Sequence, residues 1–207
     1  MKIIKIKEDI TSEIANSFKN SIAIDTEATG LQIPERDKLS LIQICDEKSN
    51  VFIIQPNKKN YRAPNLTSVL ENQNILKIGH FLRFDKSALE FFLKCKIRNI
   101  FDTKIASKIV RTYTDAHGLK NLVQEFCNKS IDKRQGSSDW NKDINELTDK
   151  QLEYAANDVL YLHKIKTELE KMLLREQRQD VFKKCLDFLD TRVELDQKGF
   201  KEDIFQH

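Results

Sequence analysis

The chain has 207 residues, the size of one large domain, and its 35 basic and 32 acidic residues leave a net charge of +3. That near balance excludes an extended phosphate-neutralising surface for long nucleic acid, and apolar runs of only a few residues exclude a helix of the roughly 20 residues needed to cross a bilayer. With 32% charged residues, 40% hydrophobic residues, five Gly and three Pro, the composition predicts a helix-rich globular protein, soluble and cytoplasmic, with no signal-peptide pattern after Met1.

From the N-terminus, KIIKI, SIAID, LSLIQIC and NVFIIQ are short, β-branched runs that predict strands, separated by polar segments such as PERDK and NKKN. Residues 9–20 read as a helix between the first two. ILKIGH, at 75–80, predicts a further strand, and from Phe84 the pattern turns helical through SALEFFLKC, DTKIASKIV and HGLKNLVQEFC. Residues 130–145 lack periodicity and read as a surface loop around Trp140, of the length that usually carries function. Thr148 predicts a helix cap, and Leu152, Ala155, Val159, Leu162 and Leu169 form one buried stripe behind it. A last apolar-patterned stretch begins near Glu176. The result is an α/β fold with a mixed sheet, a helical C-terminal part and a single domain over 1–207, with no internal repeat or linker. Cys45, Cys95, Cys127 and Cys185 show no CxxC pair and read as small buried hydrophobes rather than zinc ligands or disulfides.

Three blocks carry candidate chemistry. In SIAIDTEATGL, Asp25 and Glu27 stand two apart on a strand and share a face, an arrangement that repels unless a hard cation such as Mg²⁺ or Mn²⁺ sits between them. A solvated acidic strand end is the alternative. ILKIGHFLRFD ends in Asp85 at a predicted helix start, where a carboxylate also serves as a cap. In LEYAANDVLYL, Tyr154 and Asp158 are four apart on one helix face, so the carboxylate can hold a metal while the phenol orients water, or the tyrosine simply packs and the aspartate is solvated. A phenol with an ordinary pKa of about 10 acts as a base only with help from metals. Together the three blocks read as a phosphodiesterase site for two divalent ions about 3.5–4 Å apart.

The constellation resembles the DEDD superfamily of 3′-to-5′ exonucleases, and Tyr154-x-x-x-Asp158 places the resemblance with the tyrosine subgroup that includes ribonuclease D. It implies a ribonuclease H-like fold, metal ligation by Asp25, Glu27, Asp85 and Asp158, water positioning by Tyr154, and a wedge against the terminal base at Leu31, with Thr26 beside it. From about residue 21 onward, through TKIASKIVRTYTDAHGLKNL, SSDW and DIFQH, the chain also resembles the short ribonuclease D-like oligoribonucleases called nanoRNase C. That likeness implies a dinucleotide-preferring oligoribonuclease, a homo-oligomer built as a ring-like octamer, and no accessory helical nucleic-acid-binding domain.

Two positions depart from the ribonuclease D pattern. The usual Asn of the second motif is Phe81 here, with His80 before it, which suits stacking on a base; and an arginine-proline pair after SDW is replaced by Asn141, Lys142 and Asp143. Arg111, His117 and Lys120 form a basic group suited to reading the 5′ phosphate of a short substrate, although a solvated helix junction has the same composition; Gln135, Ser137 and Ser138 are candidate lining of the same cavity. The leading reading is therefore a metal-dependent exoribonuclease on short RNA. Competing readings are an exonuclease on longer RNA ends or single-stranded DNA, and a catalytically silent nucleic-acid-binding module.

Overall fold

A computed structural model describes residues 2–33, 36–132, 134, 136, 138–200 and 202–205. Six strands form one mixed sheet in the order β1-β4-β3-β2-β5-β6: β1 (Lys2–Lys7), β2 (Ser21–Ala28), β3 (Leu39–Cys45), β4 (Asn50–Gln55), β5 (Leu76–Gly79) and β6 (Ile100–Asp102). The β2–β3–β4 meander is antiparallel, while β1 on β4, β5 on β2 and β6 on β5 pair in parallel. Because β2 and β5 run in parallel, their C-terminal ends open at the same edge of the sheet. Both acidic segments, one on β2 and one following β5, are thereby delivered to a single place.

Alternation along the central strands sends neighbouring side chains into two separate cores. Ala23, Leu41, Val51 and Ile53 face one layer, built by α4 (Thr103–Val110), α5 (Leu119–Cys127), α6 (Asp149–Leu160) and α7 (Leu162–Arg175). Ile22, Ile24, Ile42, Phe52 and Ile54 face the other, covered by α1 (Ser12–Ser17), α2 (Pro64–Glu71) and α3 (Arg83–Leu93). Helix α8 (Gln179–Gln197) wraps the β6 edge and joins both layers, with Phe182 in the first core and Leu189 and Val193 in the second. Burial on both faces explains why β3 is apolar almost throughout rather than alternating.

The expected mixed α/β sheet and helical C-terminal part are both present. Three details differ from the sequence pattern. The short α2 and the three-residue β6 carry too few periodic positions to stand out. The stripe from Leu152 to Leu169 is divided between two helices at Tyr161, which ends α6 and begins α7. Residues 9–20 shrink to a six-residue α1, capped by the Thr11 side chain. The 130–145 segment is anchored where it is described: Lys7 pairs with Asp143 at 2.6 Å, Gln55 donates to the Lys142 carbonyl at 2.7 Å, and Trp140 is buried.

The C-terminal helix buttresses α3. Arg83 makes a two-pronged contact with Asp196, both arms at 2.7 Å, and the buried Lys86 pairs with Glu90 and reaches Asp190 at 2.9 Å. All four cysteines are free, and burial pushes the thiols of Cys45 and Cys95 up to about 12, as suits inert core residues. Among the described residues no helix is long and apolar enough to cross a membrane.

Candidate active site

Asp25 and Glu27 follow Ala23 on the face of β2 that looks toward α6, and their side chains are half-buried. Helix α6 starts at a capping box in which the Thr148 and Gln151 side chains bond each other's backbone amides, which fixes the helix's phase from its first turn. Two to three turns later Asp158 is carried, 5% exposed, over the sheet. Candidate ligand atoms of Asp25, Glu27 and Asp158 all lie within 4.8 Å of one another. Three carboxylates so close and largely withdrawn from water repel strongly, and hard-cation ligation is the chemistry that relieves them.

Asp85 arrives from the opposite layer and stands outside that triplet. It sits in the first turn of α3, 6% exposed, and accepts a 2.6 Å hydrogen bond from the Thr26 hydroxyl. Thr26 lies between Asp25 and Glu27 on β2 and, by strand alternation, points to the α3 side. Its side chain is thus committed to Asp85 rather than open to substrate, which changes the role expected for it. Burial raises the pKa of Asp85 to about 7, against the lowering effect of the Thr26 bond. A divalent cation nearby would hold this group ionised at neutral pH.

Tyr154, one helical turn before Asp158, packs its ring on Trp140 with centroids 5.9 Å apart. Burial first, and then the negative charges of Asp158, Glu27 and Asp25, push its phenol well above the usual range. The hydroxyl therefore keeps its proton in the metal-free site.

The remaining candidates divide. Leu31 is 83% exposed at the end of β2, in a turn organised by Asp37, which accepts from the Gln32 amide at 2.8 Å. Gly30 makes that turn possible, since a Cβ there would lie 2.4 Å from the Asp37 carboxylate. His80 bonds the Thr103 hydroxyl through Nδ1 at 2.9 Å; Thr103 donates to the Gly79 carbonyl at 3.0 Å, so Nδ1 carries the His80 proton. Phe81 is half-exposed four residues before Asp85, with the Lys104 ammonium over its ring, 4.0 Å from the centroid.

Arg111 is an internal strut rather than a surface phosphate reader. It is 2% exposed, and its guanidinium grips Glu125, the Ser107 hydroxyl at 2.9 Å and the Ala116 carbonyl at 2.8 Å. Those bonds hold the turn that presents His117, whose Nδ1 lies 2.9 Å from Ser107 Oγ. Burial and then the charges of Arg111 and Lys108 lower the His117 pKa, so the ring is neutral near pH 7. Lys120 is exposed on α5, and Ser138 is half-buried, while Gln135 and Ser137 lie outside the described residues. Gly30, Asp37, Asp102 and Lys104 gave no motif signal, because what matters in each is a contact with a residue distant in sequence or across a turn.

A mixed sheet with an acidic triplet shared between β2 and α6, a fourth buried carboxylate alongside and a protonated tyrosine one turn from Asp158 is a ribonuclease H-like architecture whose carboxylates are arranged to suit divalent ions and phosphodiester chemistry. The model of the 3′-5′ exonuclease family matches residues 2–174, and the chain belongs to that family. It is 34% identical to DNA polymerase I of Aquifex aeolicus over 72% of this chain and 24% of that protein, and 34% identical to ribonuclease D of a Shewanella species over 68% and 35%. The chain thus spans well under half the length of these curated relatives. Among solved structures, Brucella melitensis NrnC is 43% identical with a TM-score of 0.93, covering 100% of this chain and 99% of that one; NrnC has also been solved with bound Mg²⁺ and bound to pGG. Ribonuclease D of Escherichia coli, at 23% identity and a TM-score of 0.80 over 93% of this chain and 51% of its own, shares the fold.

Proposed function

We propose that this protein is a two-metal-dependent 3′-5′ exoribonuclease that hydrolyses short oligoribonucleotides, dinucleotides above all, to nucleoside 5′-monophosphates. The observation that carries the reading is the Asp25–Glu27–Asp158 triplet within 4.8 Å, with Tyr154 one turn from Asp158 on α6. In this proposal the triplet and Asp85 hold two Mg²⁺ or Mn²⁺ ions. Bound ions would supply a polarised water and stabilise charge on the leaving oxygen.

The chain's own groups do the rest. Tyr154, kept protonated, orients the attacking water in line with the terminal phosphodiester; water adds to phosphorus and gives one proton to solvent as the bond to the 3′ oxygen breaks, and that oxygen leaves with the bonding pair and takes a proton from solvent. Thr26 holds Asp85 in place. Leu31 wedges the terminal base, Phe81 stacks, and His80, His117 and Ser138 contact the sugar-phosphate, with Arg111 supporting His117; the Ser137 candidate lies outside the described residues.

Dinucleotide preference is supported by the net charge of +3, which suits a local phosphate contact, and by pGG in the similar NrnC. The proposal includes a cytoplasmic setting and a homo-oligomer, an octamer, and Phe188, Phe200, Ile204 and Phe205 are exposed apolar residues near the C-terminal end that suit such contacts. Hydrolysis of end-labelled RNAs from two nucleotides upward, in Mg²⁺, Mn²⁺ or EDTA, tests the reading. The expected result is fastest cleavage of the dinucleotide, abolished by EDTA. A rate that climbs with length, on RNA or single-stranded DNA, assigns the ribonuclease D-like alternative instead, and metal-independent binding without cleavage assigns a silent module.

A further inference from the structure

We propose that Asp102 is a positioning residue for substrate binding, clipping the turn before α3 to the start of α4 so that Phe81 and Lys104 form one platform for a base of the bound RNA. The inference rests on the exonuclease reading above. Asp102 is 0% exposed at the C-terminal end of β6. One carboxylate oxygen caps α4, accepting from the Lys104 amide at 2.8 Å and the Ile105 amide at 3.0 Å, and also takes the Phe81 amide at 3.2 Å; the other accepts from the Leu82 amide at 2.7 Å. A helix cap needs only the first pair. The second pair comes from a segment some twenty residues earlier, and it joins two helix starts at one buried carboxyl group.

The turn so held is not one that its side chains favour. Phe81 adopts φ 68°, a left-handed conformation that a bulky residue takes only when its surroundings impose it. Thr103 adds a tie to the Gly79 carbonyl at 3.0 Å, and a Cβ at Gly79 would lie 2.1 Å from the Leu82 side chain, so the turn closes tightly. The result is an aromatic ring left 46% exposed four residues before Asp85, with the Lys104 ammonium 4.0 Å from its centroid. With the ammonium over one face, the ring offers its other face to an incoming base, and the cation suits the phosphate attached to that base. Asp85 does not depend on the clip alone, because Thr26 holds it from β2.

The substitution Asp102→Asn separates the two functions of the carboxylate. The amide oxygen can keep the three-donor position at α4, which turns the NH₂ group toward the Leu82 amide and breaks that bond. KM and kcat for a labelled diribonucleotide are measured for the wild type, F81A, D102N and the double variant. Stacking of one base predicts that F81A and D102N each raise KM by roughly 5- to 150-fold with much smaller losses of kcat. The double variant is expected to match the worse single variant, because both remove the same contact. Multiplicative KM effects, or a D102N loss confined to kcat, would overturn the proposal in favour of a merely structural clip. Should D102N fail to fold by circular dichroism, Lys104→Met leaves all four Asp102 bonds in place and enters the same cycle with F81A, where multiplicative effects again refute the platform. If the wild type cleaves only longer RNA, the dinucleotide reading falls, and the same cycle run on that RNA still decides the role of Asp102.

Discussion

Replacing Thr26 by valine keeps the β-branched shape on β2 and removes one hydrogen bond, the 2.6 Å donation to Asp85. Both groups are buried, at 8% and 6% exposure, so water does not readily replace the lost donor. A hydrogen bond to a charged group is worth about 1.5–3 kcal/mol, and here it favours the ionised form that a cation requires. Thr26→Val should therefore raise the half-saturating Mg²⁺ concentration by roughly 10- to 150-fold at pH 7, with most activity recovered at high Mg²⁺. The assay is initial rate against Mg²⁺ concentration, with thermal unfolding as the check that the sheet is intact. An unchanged Mg²⁺ dependence would refute the idea that Thr26 prepares Asp85 for metal.

Asp85 also predicts a pH signature in metal-free protein. Its folded pKa, about 7, lies above the ordinary value of 3.8, so the folded state holds the proton more tightly; the stability it contributes is full below about pH 4 and is lost as pH rises to about 7. The melting temperature of wild type minus that of Asp85→Asn should fall across that window in EDTA, and a flat difference would contradict it. Tyr154→Phe should lower kcat by about 10²-fold or more while calorimetry shows metal binding retained, since the phenol orients water and the carboxylates remain. Gly30→Ala drives a Cβ to 2.4 Å from Asp37 and should raise KM through the Leu31 turn; an unaltered KM would separate that turn from substrate binding.

Much of this site is legible in the chain itself. Strand alternation places Asp25 and Glu27 on one face, and helical spacing places Tyr154 beside Asp158, because both relations are local and set by backbone geometry. The same local periodicities outline most of the strands and helices, and the even charge argues against a long nucleic-acid track. Elements too short to show a period, β6 and α2, were not legible, although β6 ends in Asp102.

What only the tertiary structure decides is partnership across the chain. That Thr26 serves Asp85, 59 positions away, follows from β2 and α3 meeting at one sheet edge. The basic composition around Arg111 looks like a phosphate site, yet burial turns the guanidinium inward onto Glu125 and leaves His117 as the presented group. Sequence patterns record which face of an element is apolar, whereas the assignment of a buried polar group depends on which donors and acceptors folding brings within about 3 Å. For this protein the residue types and local spacing determined the carboxylate and tyrosine groups of the site and its likeness to the exonuclease family, and long-range packing determined which side chains hold those groups in position.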